Sequence, residues 1–177
     1  MKQVLSLCIF VMMTAITFAQ NIEKQAPQGF DSLRADIPHG KLDTITYASV
    51  TVGTNRRAII YTPPGYSKKN KYALLYLLHG IGGDEKEWLN GGKPQVILDN
   101  LYAQNKLAPM IIVMPNGRAM KDDRAGGNVF DSAKVQVFAT FEKDLLNDLI
   151  PFIEKKWAVG DKFEISQRKI LSPFHYT

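Results

Sequence analysis

The sequence predicts an α/β fold with a mostly parallel sheet, an antiparallel hairpin at one edge and helices on both faces. Two short, unbroken apolar runs, ALLYLL at residues 73–78 and MIIVM at residues 110–114, are typical of strands buried on both sides. Amphipathic helical patterns alternate with these runs, which is the order that gives a parallel sheet. Two segments rich in Thr, Val, Ile and Tyr precede them, and the turn between these segments predicts the hairpin.

The chain begins with the features of a secretory signal peptide at residues 1–19. Lys2 supplies a positive charge, residues 4–16 are mostly apolar, and residues 17–19 (TFA) have the small-x-small spacing of a cleavage site after Ala19. The apolar stretch is short for a membrane span, and an uncleaved anchor is the alternative. We therefore expect a secreted or periplasmic protein that contacts no membrane after the signal peptide is removed.

Cys8 is the only cysteine and lies within this predicted signal peptide. Leu7, the residue before it, does not fit the cleavage site of a lipoprotein. The mature chain is therefore expected to contain no thiol, which excludes a disulfide, a cysteine nucleophile and a thiolate metal site.

The charge distribution gives no sign of a nucleic-acid partner. The formal net charge is +5, and removal of the signal peptide takes away the charge of Lys2. The remaining basic side chains are scattered, and no basic stripe with interleaved aromatic side chains occurs. Length and composition predict one mildly basic domain, preceded by an arm or linker at residues 20–40 that is rich in Pro, Gly and polar side chains.

The hairpin is predicted from residues 42–52 (LDTITYASVTV) and 57–62 (RAIIYT). The turn between them contains Gly53, and the PPGY sequence at residues 63–66 ends the second strand. A polar surface loop then leads to the first buried strand.

The loop after that strand, His79-Gly80-Ile81-Gly82-Gly83, is the candidate functional segment. Its three glycines within four residues let the backbone turn sharply and approach a ligand closely. Ligands in open α/β sheets also bind at the carboxyl ends of the strands. The alternative interpretation is a glycine-rich turn that leads into a helix and carries no chemistry.

The later elements are predicted from periodicity and from residues that interrupt it. Residues 94–104 predict a helix with Pro94 in its first turn. The second apolar run ends at Pro, Asn and Gly, and the polar residues 118–132 predict a long loop of the kind that is often functional or mobile. Apolar side chains at spacings of three and four over residues 135–157 predict an amphipathic helix that is kinked or ends near Pro151.

Four segments carry a family resemblance, and they occur in order between residues 42 and 157: RAIIYTPPGY, YALLYLLHGIGGDEKEW, MIIVMPNG and FEKDLLNDLIPFIEKKW. Together they resemble the secreted α/β-hydrolase esterases of the feruloyl-esterase and esterase-D type. The resemblance implies that residues 41–161 are the N-terminal part of an α/β-hydrolase domain, which is incomplete. It also implies a serine carboxylic-ester hydrolase that acts on small-molecule esters or on acyl esters of plant polysaccharides, such as feruloyl or acetyl groups on xylan.

The resemblance also implies roles for the glycine-rich loop. In this family type the loop forms part of the oxyanion hole, and here it comprises Gly80, Ile81, Gly82 and Gly83, with the Ile81 N–H as the donor. The residues expected to border the substrate cleft are His79, Asp84, Trp88, Asn116 and Gly117. His79 would support the loop by bonding backbone groups, and the alternative role for Trp88 is packing in a half-buried position.

The catalytic triad of such an esterase is missing from the sequence. The nucleophile should lie in a G-x-S-x-G motif, which occurs nowhere in the 177 residues. Ser166 and Ser172, which follow the last predicted helix, have no flanking glycines, and His175 lies at the end of the chain. His39 lies in the N-terminal arm. We therefore assign no catalytic serine, acid or histidine.

Neither a metal nor another cofactor is predicted. Metal-dependent hydrolysis would need several ligands with a defined spacing. Asp122, Asp123, Asp131 and the three histidines show no such motif, for example no H-E-x-x-H.

Residues 162–177 depart from the family pattern. The abrupt change predicts a truncated translation product, caused by a frameshift or an early stop, and a chain that is inactive as given. The alternative is a natural short protein that binds carbohydrate or acyl-sugar without catalysis. Truncation would leave a parallel sheet edge and an apolar face uncovered, which predicts poor solubility. The sequence does not predict an oligomeric state.

Overall fold

A computed structural model of the chain describes residues 25–124, 128 and 132–160. Within these residues the strands are β1 (Lys41–Ser49), β2 (Thr54–Thr62), β3 (Ala73–Tyr76) and β4 (Met110–Pro115). The helices are α1 (Glu87–Gly91), α2 (Pro94–Ala103), α3 (Ser132–Asp144) and α4 (Ile150–Lys156), with a π-helical turn (Leu145–Leu149) between α3 and α4. No helix in the described ranges is long and apolar enough to cross a bilayer.

Several sequence predictions fall on residues outside the described ranges. They are the signal peptide, the tail at residues 162–177 with Ser166, Ser172 and His175, and Asp131. These predictions are not tested by the structure. Residues 25–30 contain a turn in which the Phe30 N–H donates to the Pro27 carbonyl over 3.2 Å.

The four strands form one mixed sheet in the order β1-β2-β4-β3. The hairpin β1–β2 is antiparallel, as the sequence predicts, and it pairs Ile45 with Ala58. β2 continues antiparallel to β4, whereas β3 runs parallel to β4. The α/β class is therefore confirmed, but in the described part of the sheet two of the three strand pairings are antiparallel, because the hairpin lies beside β4.

The apolar run at residues 73–78 does not lie in the middle of this four-strand order. It contributes the short strand β3 at the end of the order, with Leu74 and Leu75 partly exposed, while residues 111–115 of β4 are buried. On the outer side of β3, Tyr72 forms a parallel bridge with Val159. The Tyr72 N–H donates to the Ala158 carbonyl over 3.0 Å, and the Gly160 N–H donates to the Tyr72 carbonyl over 2.9 Å.

Apolar side chains cover both faces of the sheet, as predicted. On β4, Ile111 and Val113 pack in one core, and Ile112 and Met114 pack in the other. This division follows from the alternation of side chains along a strand. The first core is completed by α3, the π-helical turn and α4 through Phe141, Leu145, Leu149, Ile150 and Ile153. The second core is completed by α2 through Leu98 and Tyr102.

The predicted irregularity in the last long helix occurs before Pro151 rather than at it. The Ile150 N–H donates to the Leu145 carbonyl, which is the wider π-helical pattern. Pro151 then lies in the first turn of α4, where a missing backbone N–H costs little. The wide turn keeps Leu145 and Leu149 buried against the sheet.

Candidate active site

His79 connects the end of β3 to the glycine-rich loop. Its side chain is buried, with 6% of its surface exposed. The Gly117 N–H donates to His79 Nε2 over 2.8 Å, and His79 Nδ1 lies 2.6 Å from the Gly80 carbonyl oxygen. Since a backbone N–H can only donate and a carbonyl can only accept, these partners select the neutral ring with the proton on Nδ1. The structure thus assigns His79 a supporting place in the loop.

The Gly80–Ile81 peptide is fixed from its carbonyl side. The Gly80 oxygen accepts from His79 Nδ1 and also from the Gly83 N–H, which is 3.0 Å away. No described peptide bond is cis, and in a trans peptide the N–H points away from the carbonyl of the same unit. The Ile81 N–H is therefore held in a defined direction, and it donates to no protein acceptor among the described residues.

Two further contacts hold the glycine-rich loop. Arg118, which is buried, donates from its guanidinium to the Ile81 carbonyl over 3.2 Å. Glu87 of α1 accepts the Gly80 N–H at Oε1 over 3.3 Å. These contacts connect the loop to the segment after β4 and to α1. They therefore fix its backbone without a ligand.

Asn116 and Gly117 lie at the end of β4 next to the loop, and both are occupied by protein contacts. Asn116 is 2% exposed and donates from Nδ2 to Glu85 Oε2 over 3.1 Å. Its Oδ1 accepts the Arg118 N–H over 3.0 Å. At Gly117, a Cβ would come within 3.1 Å of the Phe138 ring. Gly117 therefore contacts the loop through His79, whereas the Asn116 side chain contacts Glu85, which follows the loop.

Asp84 and Trp88 lie on the α1 side of the loop. Asp84 Oδ1 accepts the Lys86 N–H over 2.8 Å, and its carbonyl accepts the Glu87 N–H over 3.1 Å, so this residue shapes the start of α1. The Trp88 indole N–H donates to the Leu78 carbonyl over 2.8 Å. The Trp88 side chain remains 37% exposed, so it offers ring surface rather than a free N–H.

An open depression of about 660 Å³ lies between the glycine-rich loop and α1. Among the described residues, no apolar side chain lines it. The lining residues are Gly80, Gly82, Gly83, Asp84, Glu87, Asn90 and Gly91. Of the predicted site residues, the structure brings the loop glycines and Asp84 together here, while Ile81, His79, Trp88, Asn116 and Gly117 do not line it.

Several buried charged residues near the loop are not identified by the sequence analysis. Arg118 and Glu85 each contact residues of the predicted site, and Arg56 of β2 donates to the Asn116 carbonyl over 2.6 Å. The carboxyl of Asp123 lies nearby, and burial raises its pKa, with the negative charge of Glu85 acting in the same direction. Charged side chains are usually exposed, so no sequence pattern marks these as buried.

The remaining predicted candidates lie elsewhere. His39 pairs with the buried Asp99, whose Oδ2 is 3.0 Å from His39 Nδ1. In the described part of the chain, no three His, Cys, Asp or Glu side chains lie close enough together to hold a metal ion.

Two curated relatives of this chain are xylanases by name, and one of them is also named a feruloyl esterase. An endo-1,4-beta-xylanase/feruloyl esterase from Xylanibacter ruminicola is 36% identical over 137 residues, which cover 73% of this chain and 18% of the relative. Endo-1,4-beta-xylanase Y from Acetivibrio thermocellus is 31% identical over 120 residues, which cover 67% of this chain and 10% of that protein. The chain thus spans less than a fifth of either relative.

Solved esterase structures share the fold. A ferulic acid esterase from Anaeromyces mucronatus, in complex with ferulic acid, superposes with a TM-score of 0.71 at 25% identity. The match covers 79% of this chain and 52% of that one. The feruloyl esterase module from Clostridium thermocellum, complexed with sinapinate, gives a TM-score of 0.60 at 26% identity, covering 81% of this chain and 45% of that chain.

A family model agrees with these similarities. The model described as "Putative esterase" matches residues 49–165, which include β2, β3, β4 and the glycine-rich loop. The match covers more than half of the chain, and this chain therefore belongs to that esterase family.

Proposed function

We propose that this chain supplies the oxyanion-binding part of a serine carboxylic-ester hydrolase that acts on acyl esters of plant polysaccharides. The observation that carries the proposal is the Ile81 N–H at the carboxyl end of β3, which is oriented and has no acceptor among the described residues. Membership of the esterase family and the feruloyl esterase relatives support it.

The Ile81 N–H suits the chemistry of ester cleavage. Attack on the ester carbonyl places a negative charge on its oxygen, and a preorganised N–H stabilises that charge without reorganising at the moment of reaction. One such donor contributes about 3 kcal/mol to the transition state. The His79 and Gly83 contacts to the Gly80 carbonyl provide the preorganisation.

The nucleophile is not supplied by the described residues. Since G-x-S-x-G does not occur in the 177 residues, we expect the chain alone to hydrolyse no ester. The family places the nucleophile on the strand after the last long helix. Among the described residues, Val159 follows that helix and forms a parallel bridge with Tyr72.

We propose hydroxycinnamoyl esters of polysaccharides as the substrate class. Ferulic acid and sinapinate are bound in the two similar solved structures. The open depression beside the loop has carboxylate and amide groups from Asp84, Glu87 and Asn90, which are suitable partners for sugar hydroxyls. Location outside the cytoplasm is part of this proposal and follows from the predicted signal peptide at residues 1–19.

A chimera tests the proposed activity. Residues 41–160 would replace the matched segment of the Anaeromyces mucronatus esterase, and hydrolysis of methyl ferulate would be measured beside that parent enzyme and the 177-residue chain. We expect turnover by the chimera and none by the chain alone. A chimera that unfolds cooperatively but hydrolyses no ester would contradict the proposal, as would turnover by the 177-residue chain.

Carbohydrate binding without catalysis is the second candidate, and the exposed Trp88 ring on α1 favours it. Calorimetric titration of the 177-residue chain with feruloylated xylo-oligosaccharide would detect such binding. Trp88→Ala should abolish it, while Val135→Ala, which alters a similarly exposed apolar side chain on α3, should not. Absence of binding together with an active chimera would reject this candidate.

A further inference from the structure

We propose that Arg56 is a positioning residue that sets the geometry of the oxyanion loop from the opposite side of β4. The inference rests on the proposed function of that loop. Arg56 lies in β2 and is 1% exposed. Its terminal nitrogen Nη2 donates to two backbone carbonyls beyond the end of β4, those of Asn116 at 2.6 Å and Arg118 at 2.7 Å.

The guanidinium is held in place by a buried cluster. Asp144 of α3, which is 0% exposed, accepts from the other terminal nitrogen of Arg56 and from the Tyr47 hydroxyl. The Tyr47 hydroxyl also accepts from Arg56 over 3.1 Å. Buried ion pairs need such additional hydrogen bonds to offset the loss of hydration.

The Arg56–Asp144 ion pair does not have the bidentate geometry that gives the strongest interaction. Arg56 and Asp144 share a single carboxylate oxygen, and among the described residues Arg56 Nε and Asp144 Oδ1 have no hydrogen-bond partner. A two-point pair would use both carboxylate oxygens. Instead, one terminal nitrogen of the Arg56 guanidinium donates to both the Asn116 and the Arg118 carbonyl. This arrangement indicates that contact with the 116–118 turn determines the orientation of the guanidinium.

The turn at residues 116–118 contacts the glycine-rich loop at His79 and Ile81, and it also contacts Glu85, which follows the loop. The Asn116 side chain donates to Glu85, the Gly117 N–H donates to His79, and the Arg118 guanidinium donates to the Ile81 carbonyl. These contacts bracket the donor Ile81 on both sides along the chain. Displacement of the turn would therefore remove the partner that keeps His79 Nε2 unprotonated, and the Gly80–Ile81 peptide would lose one of the two hydrogen bonds that fix its plane.

Arg56→Lys is the variant that tests this inference. Lysine keeps a positive charge near Asp144, but its single nitrogen cannot occupy both terminal positions of the guanidinium. Tyr47→Phe is the matched control, because it removes a hydroxyl from the same cluster without touching the 116–118 turn. Thermal unfolding of both variants establishes that they are folded.

The readout is the ¹⁵N spectrum of histidine-labelled 177-residue chain, with the His79 signals assigned by their loss in His79→Gln. We expect a protonated Nδ1 and an acceptor Nε2 in the parent and in Tyr47→Phe. In Arg56→Lys this signature should be lost, and the Nε2-protonated ring should appear. An unchanged signature in folded Arg56→Lys would overturn the inference.

A second variant covers the case in which Arg56→Lys does not fold. The neutral pair Arg56→Gln with Asp144→Asn leaves no buried charge unpaired, and the same loss of the His79 signature is expected. The readout needs no ester hydrolysis. An inactive chimera with an intact His79 signature would therefore contradict the proposed function alone.

Discussion

The Gly117 N–H donates to His79 Nε2 over 2.8 Å and so joins the segments that follow two neighbouring parallel strands. His79 follows β3 and Gly117 follows β4, and parallel strands end at the same edge of a sheet. This bond leaves the proton of His79 on Nδ1, facing the Gly80 carbonyl. Because the Gly80 carbonyl and the Ile81 N–H belong to one planar peptide unit, the contact of His79 with the carbonyl sets the direction of the N–H.

Gly117→Ala should destabilise the protein. The added Cβ would approach the Phe138 ring to within 3.1 Å and His79 Nε2 to within 3.5 Å. The side chains around the histidine would therefore have to shift. Overpacking of this kind costs about 1–3 kcal/mol, measurable as a lower urea midpoint. Gly82→Ala is the control, because a Cβ at Gly82 would meet nothing within 4 Å, and its midpoint should stay close to the parent's. Equal midpoints for the two variants would contradict this explanation.

Asp144→Asn should lower the free energy of unfolding more than the neutralisation of any exposed charge does. It leaves the buried Arg56 without its carboxylate, and breaking a buried pair from one side costs about 3–5 kcal/mol of unfolding free energy. Asp36→Asn, which neutralises the exposed partner of Arg34, should leave the urea midpoint unchanged. A small effect at Asp144 would show that the cluster is not a stabilising link between the helix and the sheet.

Asp148 should make the stability of the folded protein depend on pH in the acid range, because its carboxylate accepts hydrogen bonds from the turn between β1 and β2. Burial raises the pKa of its carboxyl, but hydrogen bonds from Thr51, Val50 and Ser49 outweigh burial, so the pKa lies below its ordinary value of 3.8. The carboxylate therefore stabilises the folded protein fully above that value, and the contribution is lost as the pH falls through the lowered pKa.

Asp148→Asn tests this dependence. The variant should be less stable than the parent by about 1 kcal/mol near neutral pH, because an amide cannot accept all three bonds. In urea midpoints measured from about pH 7 to about pH 2, the difference between the two proteins should be constant well above pH 3.8 and should shrink as the pH falls below it. A difference that stays constant over the whole range would exclude a contribution from the charge of Asp148.

The elements were predictable from the sequence because they depend on local patterns. Continuous apolar runs, proline at a helix start and β-branched segments gave β4, α2 and the hairpin close to their observed positions. Strand order was not predictable, since the pairing of β2 with β4 depends on contacts between distant residues. For the same reason the sequence does not predict that β3 pairs with β4 at the end of the described order.

The position of the candidate loop after a strand was predictable from the sequence, but the contacts of its side chains were not. The sequence predicts Asn116 directly after a buried strand, where the structure has it, but its side chain bonds to Glu85 and to the Arg118 N–H. A sequence does not give the direction of a side chain or the partners of a charge. Arg56 and Arg118 therefore resembled ordinary surface residues until the fold showed them buried among carbonyl groups.

Ile81→Pro in the chimera tests most directly whether the Ile81 N–H is the oxyanion donor. Proline removes that N–H, and Ile81→Ala is the control that retains it. With methyl ferulate, kcat should fall by about 10²–10³-fold in Ile81→Pro relative to Ile81→Ala, with similar KM values and similar unfolding midpoints. Equal kcat values in the two folded variants would contradict the assignment of Ile81 as the oxyanion donor.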